Sequence, residues 1–256
     1  MILSAITTLY NCEKYLLQSL QSIKNQSFKD FEWIIVNDGS TDNSWKIVED
    51  FTKSFPGQIK LVNNTDNKKI PTRRNEAIKI TKGKYIAICD GDDISYPGRF
   101  LKQVNFLEAN EEISVVGGHA IRINGEDQNT GDMVYPPEKH DKILNSILLV
   151  SHMNPMIDPT TMFKRSMFDT LGGYTLREDI FTTPDFDLWC RALLRGYKFH
   201  NLQQVLIKYR DNPNGVTNSK KVQMIKSHVI VRKEFLMNYN VQRTENFLRG
   251  KQNVNK

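Results

Sequence analysis

The first hundred residues alternate between short apolar runs and segments whose apolar residues recur at helical spacing. The runs predict buried strands, and the segments between them predict helices with one apolar face. Predicted strands cover residues 2–9, 31–38, 58–64 and 84–90, and predicted helices cover 13–26, 39–55 and 71–83, the last with Pro71 at its start and Gly83 as its stop. This alternation, with short connections, indicates a parallel, doubly wound sheet with helices on both faces.

After Pro97 the alternation becomes irregular. Helices are predicted at 98–110, at 138–152, from near Thr183 and after residue 216, strands at 113–124 and within 158–168, and a hairpin or loop at 125–133. We therefore expect an α/β fold with a mainly parallel sheet flanked by helices, a smaller mixed rear portion and a C-terminal helical tail. Because no repeat or low-complexity linker interrupts the chain, we expect one domain, 1–256, divided into 1–97, 98–215 and a basic tail at 216–256.

Charge and composition narrow the classes of function. The net charge is +6, from 35 basic and 29 acidic residues, which suits a phosphate-bearing ligand or weak attraction to an anionic membrane. The sequence has no run of eighteen apolar residues and no signal-peptide pattern, and its cysteines form no CxxC pair, which predicts a cytoplasmic, reducing location. No basic tract interleaved with aromatic residues is found, so we expect no nucleic-acid partner.

Three carboxylates follow the fourth predicted strand, in the stretch CDGDD. Asp90, Asp92 and Asp93 repel one another unless a cation or hydrogen-bond donors hold them together. Magnesium and manganese take oxygen ligands and accept one or two carboxylates together with substrate phosphates. Gly91 carries no side chain, which would let a diphosphate approach. The alternative is a polar turn with no ligand.

Known phosphate-binding loops are missing. No GxGxxG follows the first strand and no GxxxxGK[ST] occurs, so phosphate binding would depend on a metal and on basic residues. Four basic residues near the start of the third predicted helix are candidates. Of the two adjacent arginines only one is expected to face the cleft easily, and a solvated position is an equal alternative for the other. They are Lys68, Lys69, Arg73 and Arg74.

Several of these segments together resemble a known family. VNDGSTDNS, followed by RRNEAIKITKGKYIAICDGDD and later by LGGY and PDFDLW, is similar to the inverting glycosyltransferases of family 2, which use nucleotide sugars and have the GT-A fold. The resemblance runs from about residue 2 to about residue 216 and is weakest between 124 and 151. It implies a nucleotide-sugar-binding half at 1–97 and an acceptor-side half at 98–215.

The resemblance also implies roles for single residues. Thr8 and Asp38 match positions that hold the nucleotide base. Asp90 and Asp92 match the DxD motif, which places the ribose and the metal-bound diphosphate, so both are metal candidates with Mn²⁺ or Mg²⁺. Asp185 matches the general base. Arg74 matches an arginine that is usual at this point. Lys69 and Gly91, chosen above for charge and small size, and Asp158 complete the nucleotide-sugar-binding set.

Two departures from the family pattern concern the predicted site. Pro184 stands where many relatives have a Glu before Asp185, and Asp158 stands where many have a histidine. Asp158 either contacts the donor sugar or acceptor or satisfies backbone donors. Tyr209 and Arg210 resemble a pair that closes the active site. Asp187 is the alternative base, and it would point about 200° away from Asp185 on a helix.

The implied activity is metal-dependent, inverting transfer of a hexosyl or N-acetylhexosaminyl group. The donor would be a nucleoside diphosphate sugar with uridine as the expected base, and the acceptor a glycan, a lipid-linked or a protein-linked group, in polysaccharide or glycan assembly. One alternative is a non-catalytic module that binds a nucleotide sugar or glycan, and another is a nucleotidyltransferase, whose Gly- and Lys-rich loop is missing. The basic tail either contacts the cytosolic face of a membrane or packs on the domain.

Overall fold

A computed structural model describes residues 1–55, 57–149, 155–213 and 215–254, with helix side chains described up to residue 246. The strands are β1 Leu3–Leu9, β2 Phe31–Asp38, β3 Gln58–Asn64, β4 Tyr85–Asp90, β5 Ile94–Ser95, β6 Ile113–Ile123, β7 Asn129–Val134, β8 Met162–Lys164 and β9 Lys198–Arg210. The helices are α1 Glu13–Lys24, α2 Ser44–Thr52, α3 Lys69–Lys79, α4 Arg99–Ala109, α5 His140–Leu148, α6 Arg165–Leu171, α7 Pro184–Leu194, α8 Val216–Ser219 and α9 Lys221–Val254. Residues 150–152 of one predicted helix and the last two residues of the tail lie outside the described residues.

The described strands form one sheet in the order β3-β2-β1-β4-β8-β6-β9-β5, with β7 paired to β6. The first four strands are parallel, as predicted, and Thr8 of β1 lies opposite both Val36 of β2 and Asp90 of β4. The rear is mixed, because β8 and β7 run antiparallel to β6 whereas β9 runs parallel to it. The carboxyl ends of β1, β2 and β4 therefore meet at one edge of the sheet.

Each face of the sheet is covered by its own set of helices. Along β1, Leu3 and Ala5 pack with apolar residues of α1, α2 and α4, while Ile6 packs with residues of α3, α5, α6, α7 and α9. Alternate strand residues point to opposite faces, so the short apolar strand supplies both layers of the core. This confirms the prediction of helices on both faces.

The third helix starts and ends earlier than predicted. It covers Lys69–Lys79 instead of 71–83, because the carboxylate of Asp38 accepts the backbone N–H groups of Lys68 and Lys69 and begins the helix before Pro71. Gly83 is not a helix stop. A Cβ there would lie 2.5 Å from the backbone nitrogen of Ser4, so glycine is required by close contact with β1.

The tail forms the helix α9, which packs against α7. Val231 and Phe235 are 2% and 1% exposed, and both belong to the core cluster that contains Leu188 and Trp189 of α7. The tail is therefore an integral layer of the fold over its first part. Within the described residues, no helix combines the length and the apolar character that crossing a membrane requires.

Candidate active site

A cleft of about 1400 Å³ lies at the carboxyl ends of β1, β2 and β4, where parallel sheets commonly bind ligands. It is larger than the ~300–1,000 Å³ typical of a site for one small molecule. Lys68, a candidate for phosphate binding, does not line the cleft, but nine residues predicted for donor, metal or base function do. These residues are Thr8, Asp38, Lys69, Arg74, Asp90, Gly91, Asp92, Asp158 and Asp185.

Asp38, at the end of β2, is nearly buried and already holds several donors. Its carboxylate accepts the amides of Lys68 at 2.7 Å and Lys69 at 3.0 Å, and Nε of Arg73 at 2.8 Å. Arg73 also pairs with Asp66 and Glu76. This arrangement joins the end of β2 to the start of α3 and fixes one wall of the cleft.

Arg74 joins two acidic residues from distant parts of the chain. Its guanidinium pairs with Asp90 at 3.0 Å through one nitrogen and with Asp158 through another. Both arginines line the cleft, so the expectation that only one would face it is wrong, and neither is solvated, since Arg73 is 1% and Arg74 3% exposed. Side chains at neighbouring helix positions point in different directions. Each of the two arginines nonetheless meets carboxylates on its own side, so both positive charges are paired.

Asp158 lies in a 3-10 turn, Asp158–Thr160, that also lines the cleft. One carboxylate oxygen pairs with Arg74, and the other is buried with no hydrogen-bond partner among the described residues. Burial raises the pKa of Asp158, and the charge on Arg74 opposes that rise. The side chain of Asp158 thus pairs with an arginine, and the alternative that it satisfies backbone donors is wrong.

The acidic segment after β4 is held by the chain from β9. Asp92 accepts the side-chain amide of Asn212 at 2.9 Å, and Asp93 accepts the backbone N–H of Arg210 at 2.8 Å. Burial raises the pKa of Asp92, with a further contribution from the charge on Asp90. Burial and the charge on Asp92 also raise the pKa of Asp93 well above its ordinary value. Asp93 is thus a structural residue, whereas Asp90 and Asp92 line the cleft.

Arg210, a minor candidate from the sequence, is a central positioning residue. It is 3% exposed and donates to the carbonyl oxygens of Asp92 at 2.8 Å and Asn124 at 3.0 Å. It also donates to Gln18 at 2.8 Å, and its guanidinium lies 4.3 Å from the ring centre of Tyr15. These partners come from α1, the β6–β7 turn and the acidic segment, so one side chain joins three elements around the site.

The predicted metal ligands suit a hard divalent cation. Asp90 and Asp92 both offer carboxylate oxygens to the cleft, and after burial the charge on Asp90 contributes to the raised pKa of Asp92. Two carboxylates are enough when substrate phosphates and water supply the other ligands. In the part of the chain that the structure describes, no group of three or more His, Cys, Asp or Glu side chains is arranged to hold a metal.

Gly91 is explained by packing inside the protein. A Cβ there would lie 3.1 Å from Sγ of Cys12, which is buried beneath the cleft. The space that a side chain at this position would need is therefore occupied by Cys12. The sequence had suggested that this space is open cleft for an approaching diphosphate. Gly91 nonetheless lines the cleft, as Thr8 and Lys69 do.

Asp185 is in the first turn of α7, with Thr183 as the N-cap and Pro184 at the first helical position. Asp185 lines the cleft, whereas Asp187 accepts hydrogen bonds from Thr175 at 2.7 Å and Arg191 at 2.8 Å. Of the two candidate bases, the one that faces the cleft is therefore Asp185.

Helix α9 lines the rear of the same cleft, which the sequence did not indicate. Its apolar and basic positions predict a helix that is packed on the domain or faces a membrane, and neither prediction places it beside the site. The α9 residues that line the cleft are Met224, Ile225, His228, Val229, Arg232, Lys233, Leu236, Met237 and Asn240. The ring of His228 lies 4.5 Å from that of Phe186, next to Asp185.

Comparison with known proteins identifies the family. The model of "Glycosyl transferase family 2" matches residues 4–172. The chain belongs to this family. It is 32% identical over 233 residues to EpsE of Bacillus subtilis (strain 168), which is named as a glycosyltransferase, over 89% of this chain and 80% of EpsE.

A further family relative has a more specific name. WfaP of Escherichia coli is 27% identical over 231 residues, which cover 90% of this chain and 86% of WfaP. It is named a UDP-Glc:alpha-D-GlcNAc-diphosphoundecaprenol beta-1,3-glucosyltransferase.

Two solved structures share the fold of this chain. TarS of S. aureus in complex with UDP-GlcNAc matches with a TM-score of 0.69 and 20% identity, over 86% of this chain and 61% of that chain. The mannosyltransferase PcManGT from Pyrobaculum calidifontis, in complex with GDP-Man and Mn²⁺, matches with a TM-score of 0.68 and 16% identity, over 90% and 62%. The fold is thus of the GT-A type and the chain is a glycosyltransferase.

Proposed function

We propose that this glycosyltransferase transfers a sugar from a nucleoside diphosphate sugar, with uridine as the base, to an acceptor hydroxyl with inversion at the anomeric carbon. The observation that carries the proposal is the presence of Asp90, Asp92 and Asp185 in one cleft, with Asp187 turned away. The acidic pair suits the donor diphosphate, and the third carboxylate suits proton removal from the acceptor.

The nucleotide would lie along the ends of β1 and β2. Thr8 and Asp38 would hold the base, and Lys69 would face the phosphates. Asp38 accepts three donors from the protein, and a carboxylate has about four acceptor positions, which leaves room for a ring N–H. TarS, which shares the fold, binds UDP-GlcNAc, and this supports a uridine donor.

Asp90 and Asp92 would hold Mn²⁺ or Mg²⁺. When bound, the ion would neutralise the charge that gathers on the leaving diphosphate. PcManGT is known with Mn²⁺, which supports the use of a divalent ion in this fold. Arg74 would keep Asp90 and Asp158 in place through its two ion pairs, so that the donor sugar lies between them and Asp185.

Asp185 would act as the general base. Its carboxylate takes the proton of the acceptor hydroxyl while the oxygen forms a bond to the anomeric carbon. The bond from that carbon to the phosphate oxygen breaks, and its electron pair leaves with the nucleoside diphosphate. Attack from the face opposite the leaving group inverts the configuration, so no covalent intermediate on the protein is needed.

The acceptor would be a glycan, a lipid-linked or a protein-linked group in polysaccharide assembly. The name of WfaP, with its diphosphoundecaprenol-linked acceptor, supports the lipid-linked class. We place the enzyme in the cytoplasm, with peripheral contact to a membrane through the basic residues of the tail. Vesicles containing anionic lipid test that contact, which should weaken at high salt because exposed charges are screened.

A donor screen tests the activity itself. Purified protein is incubated with UDP- and GDP-sugars plus Mn²⁺, and release of nucleoside diphosphate is measured with and without EDTA. We expect one donor to be hydrolysed slowly, with loss of the signal in EDTA and return on excess Mn²⁺. Donor binding without hydrolysis or transfer would instead support the non-catalytic binding module, and full activity in EDTA would reject the metal.

A further inference from the structure

Helix α9 carries a second apolar face besides the one packed on α7. Ile225, Val229 and Met237 are 54%, 63% and 61% exposed, and all three line the cleft. With Lys233 they recur at intervals of four residues, which places them along one side of the helix over about 18 Å. An exposed apolar surface beside an active site commonly marks a binding site.

Positive charge lies along the same row. Lys233 is exposed and stands between Val229 and Met237. The guanidinium of Arg232 lies 5.5 Å from the ring centre of Phe186, the residue that follows Asp185. A basic side chain of α9 thus packs against the residue that follows Asp185, and the apolar positions continue in both directions along α9.

We propose that this face of α9 binds the lipid part of the acceptor, with the isoprenoid chain along Ile225, Val229 and Met237 and its phosphate at Arg232 and Lys233. The acceptor class would be a sugar linked through a diphosphate to an isoprenoid chain. This rests on the proposed function, because the sugar hydroxyl is the group that must reach Asp185. Apolar contact provides affinity and the basic pair gives orientation.

The position of the row favours this occupant. A second copy of the chain or a flat membrane would be expected to use all exposed apolar residues of α9. Val222 and Val241 are equally exposed, at 69% and 56%, yet they do not line the cleft. The cleft is also larger than one nucleotide sugar requires, and its rear wall is the part without acidic ligands for a metal.

Binding of farnesyl diphosphate, measured by calorimetry on the whole chain in EDTA, tests the proposal without any donor or turnover. EDTA removes metal-dependent binding of the diphosphate at Asp90 and Asp92. We expect the double variant I225Q/V229Q to weaken binding about tenfold or more, a loss of about 1.4 kcal/mol or more. K233Q should weaken the binding of farnesyl diphosphate but leave the binding of farnesol unchanged.

The matched control is V222Q/V241Q, which changes two equally exposed residues of the same helix outside the cleft. It should bind farnesyl diphosphate as the unaltered protein does. Equal losses in the two double variants would assign the effect to general adsorption on α9 and overturn the proposal. The proposal would also be overturned if sedimentation showed a dimer that I225Q/V229Q dissociates. It would be overturned as well if the unaltered protein did not bind farnesyl diphosphate.

Failure of the proposed function gives a different result. If no donor is hydrolysed but farnesyl diphosphate binds with this variant pattern, the apolar site stands and the transferase mechanism falls. If donor hydrolysis occurs and the variants leave farnesyl diphosphate binding unchanged, the mechanism stands and the lipid site is rejected. Circular dichroism on each variant confirms that the fold is retained, as expected for exposed positions.

Discussion

Asp185 and Asp187 lie two positions apart in the first turn of α7, and the structure points them in opposite directions. Asp185 lines the cleft, while Asp187 is 6% exposed and bonded to Thr175 and Arg191. Residues two apart on a helix are separated by about 200°, so one of the pair faces the site and the other the interior. The two carboxylates should therefore respond differently to the same substitution.

Asp185→Asn should lower turnover by about 10² or more and leave donor and metal binding nearly intact, because the amide cannot take the acceptor proton. A transfer assay gives the turnover, and calorimetry with donor and Mn²⁺ gives the binding. The structure supplies Asp187→Asn as the control. That variant should lose about 1–3 kcal/mol of stability in urea while its folded fraction keeps normal turnover. Normal turnover in Asp185→Asn would reject the assignment of the base.

Asp92→Asn should weaken metal-dependent donor binding about tenfold or more and lower turnover as well, because the diphosphate loses part of its counter-charge. Isothermal titration with donor, at several Mn²⁺ concentrations, measures both effects. Asp50→Asn is a suitable comparison, since Asp50 of α2 forms exposed ion pairs with Lys46 and with Lys53, the residue after the helix. If both variants bind donor and Mn²⁺ equally well, Asp92 is not a metal ligand.

Arg74→Ala should destabilise the protein by about 3–5 kcal/mol, because it leaves Asp90 and Asp158 without their buried partner. Urea unfolding measures this loss. Arg74→Lys keeps one charge but cannot reach both carboxylates, so it should raise the donor KM with a smaller loss of stability.

The control for that effect is Arg177→Ala. Arg177 pairs with Asp179 and Glu234, and all three side chains are 40% or more exposed. Its loss should cost at most about 1 kcal/mol, as for other surface ion pairs. Equal destabilisation by Arg74→Ala and Arg177→Ala would contradict the bridging role.

Glu32→Gln should reveal a pH-dependent part of the stability. Burial favours the neutral form of Glu32, but hydrogen bonds from Lys60 at 2.8 Å and Ser4 at 2.7 Å outweigh it and lower its pKa. A lowered pKa stabilises the fold above the unfolded value of about 4.3, and the contribution is lost as the pH falls through the folded value.

At pH 7 the Glu32→Gln variant should therefore be about 1–3 kcal/mol less stable than the unaltered protein. The difference should shrink as the pH falls below about 4 and through the lowered folded value, under which Glu32 is protonated in both states. Urea unfolding from pH 3 to 8 measures it. A difference that stays constant over this range would show that the charge of Glu32 does not contribute.

The local pattern of the sequence was enough to predict the front of the fold. Short, nearly continuous apolar runs in β1, β2 and β4 predict buried parallel strands, and the helices between them show one apolar face each. Asp90 and Asp92 follow a buried strand, so their place at the sheet edge is a consequence of chain order. The position of Asp185 after an N-cap and a proline is likewise local.

Only the tertiary structure decided which charges meet and which helix closes the cleft. Asp158 reaches Arg74 across 84 positions of the chain, and Arg210 reaches Asp93 across 117. Such pairs depend on how the rear strands join β4 and β6, which apolar periodicity does not encode. The docking of α9 likewise depends on burying Val231 and Phe235 against α7, a gain that exists only once α7 is in place. Periodicity determines which face of an element is apolar, and the long-range packing of those faces determines what they bring to the site.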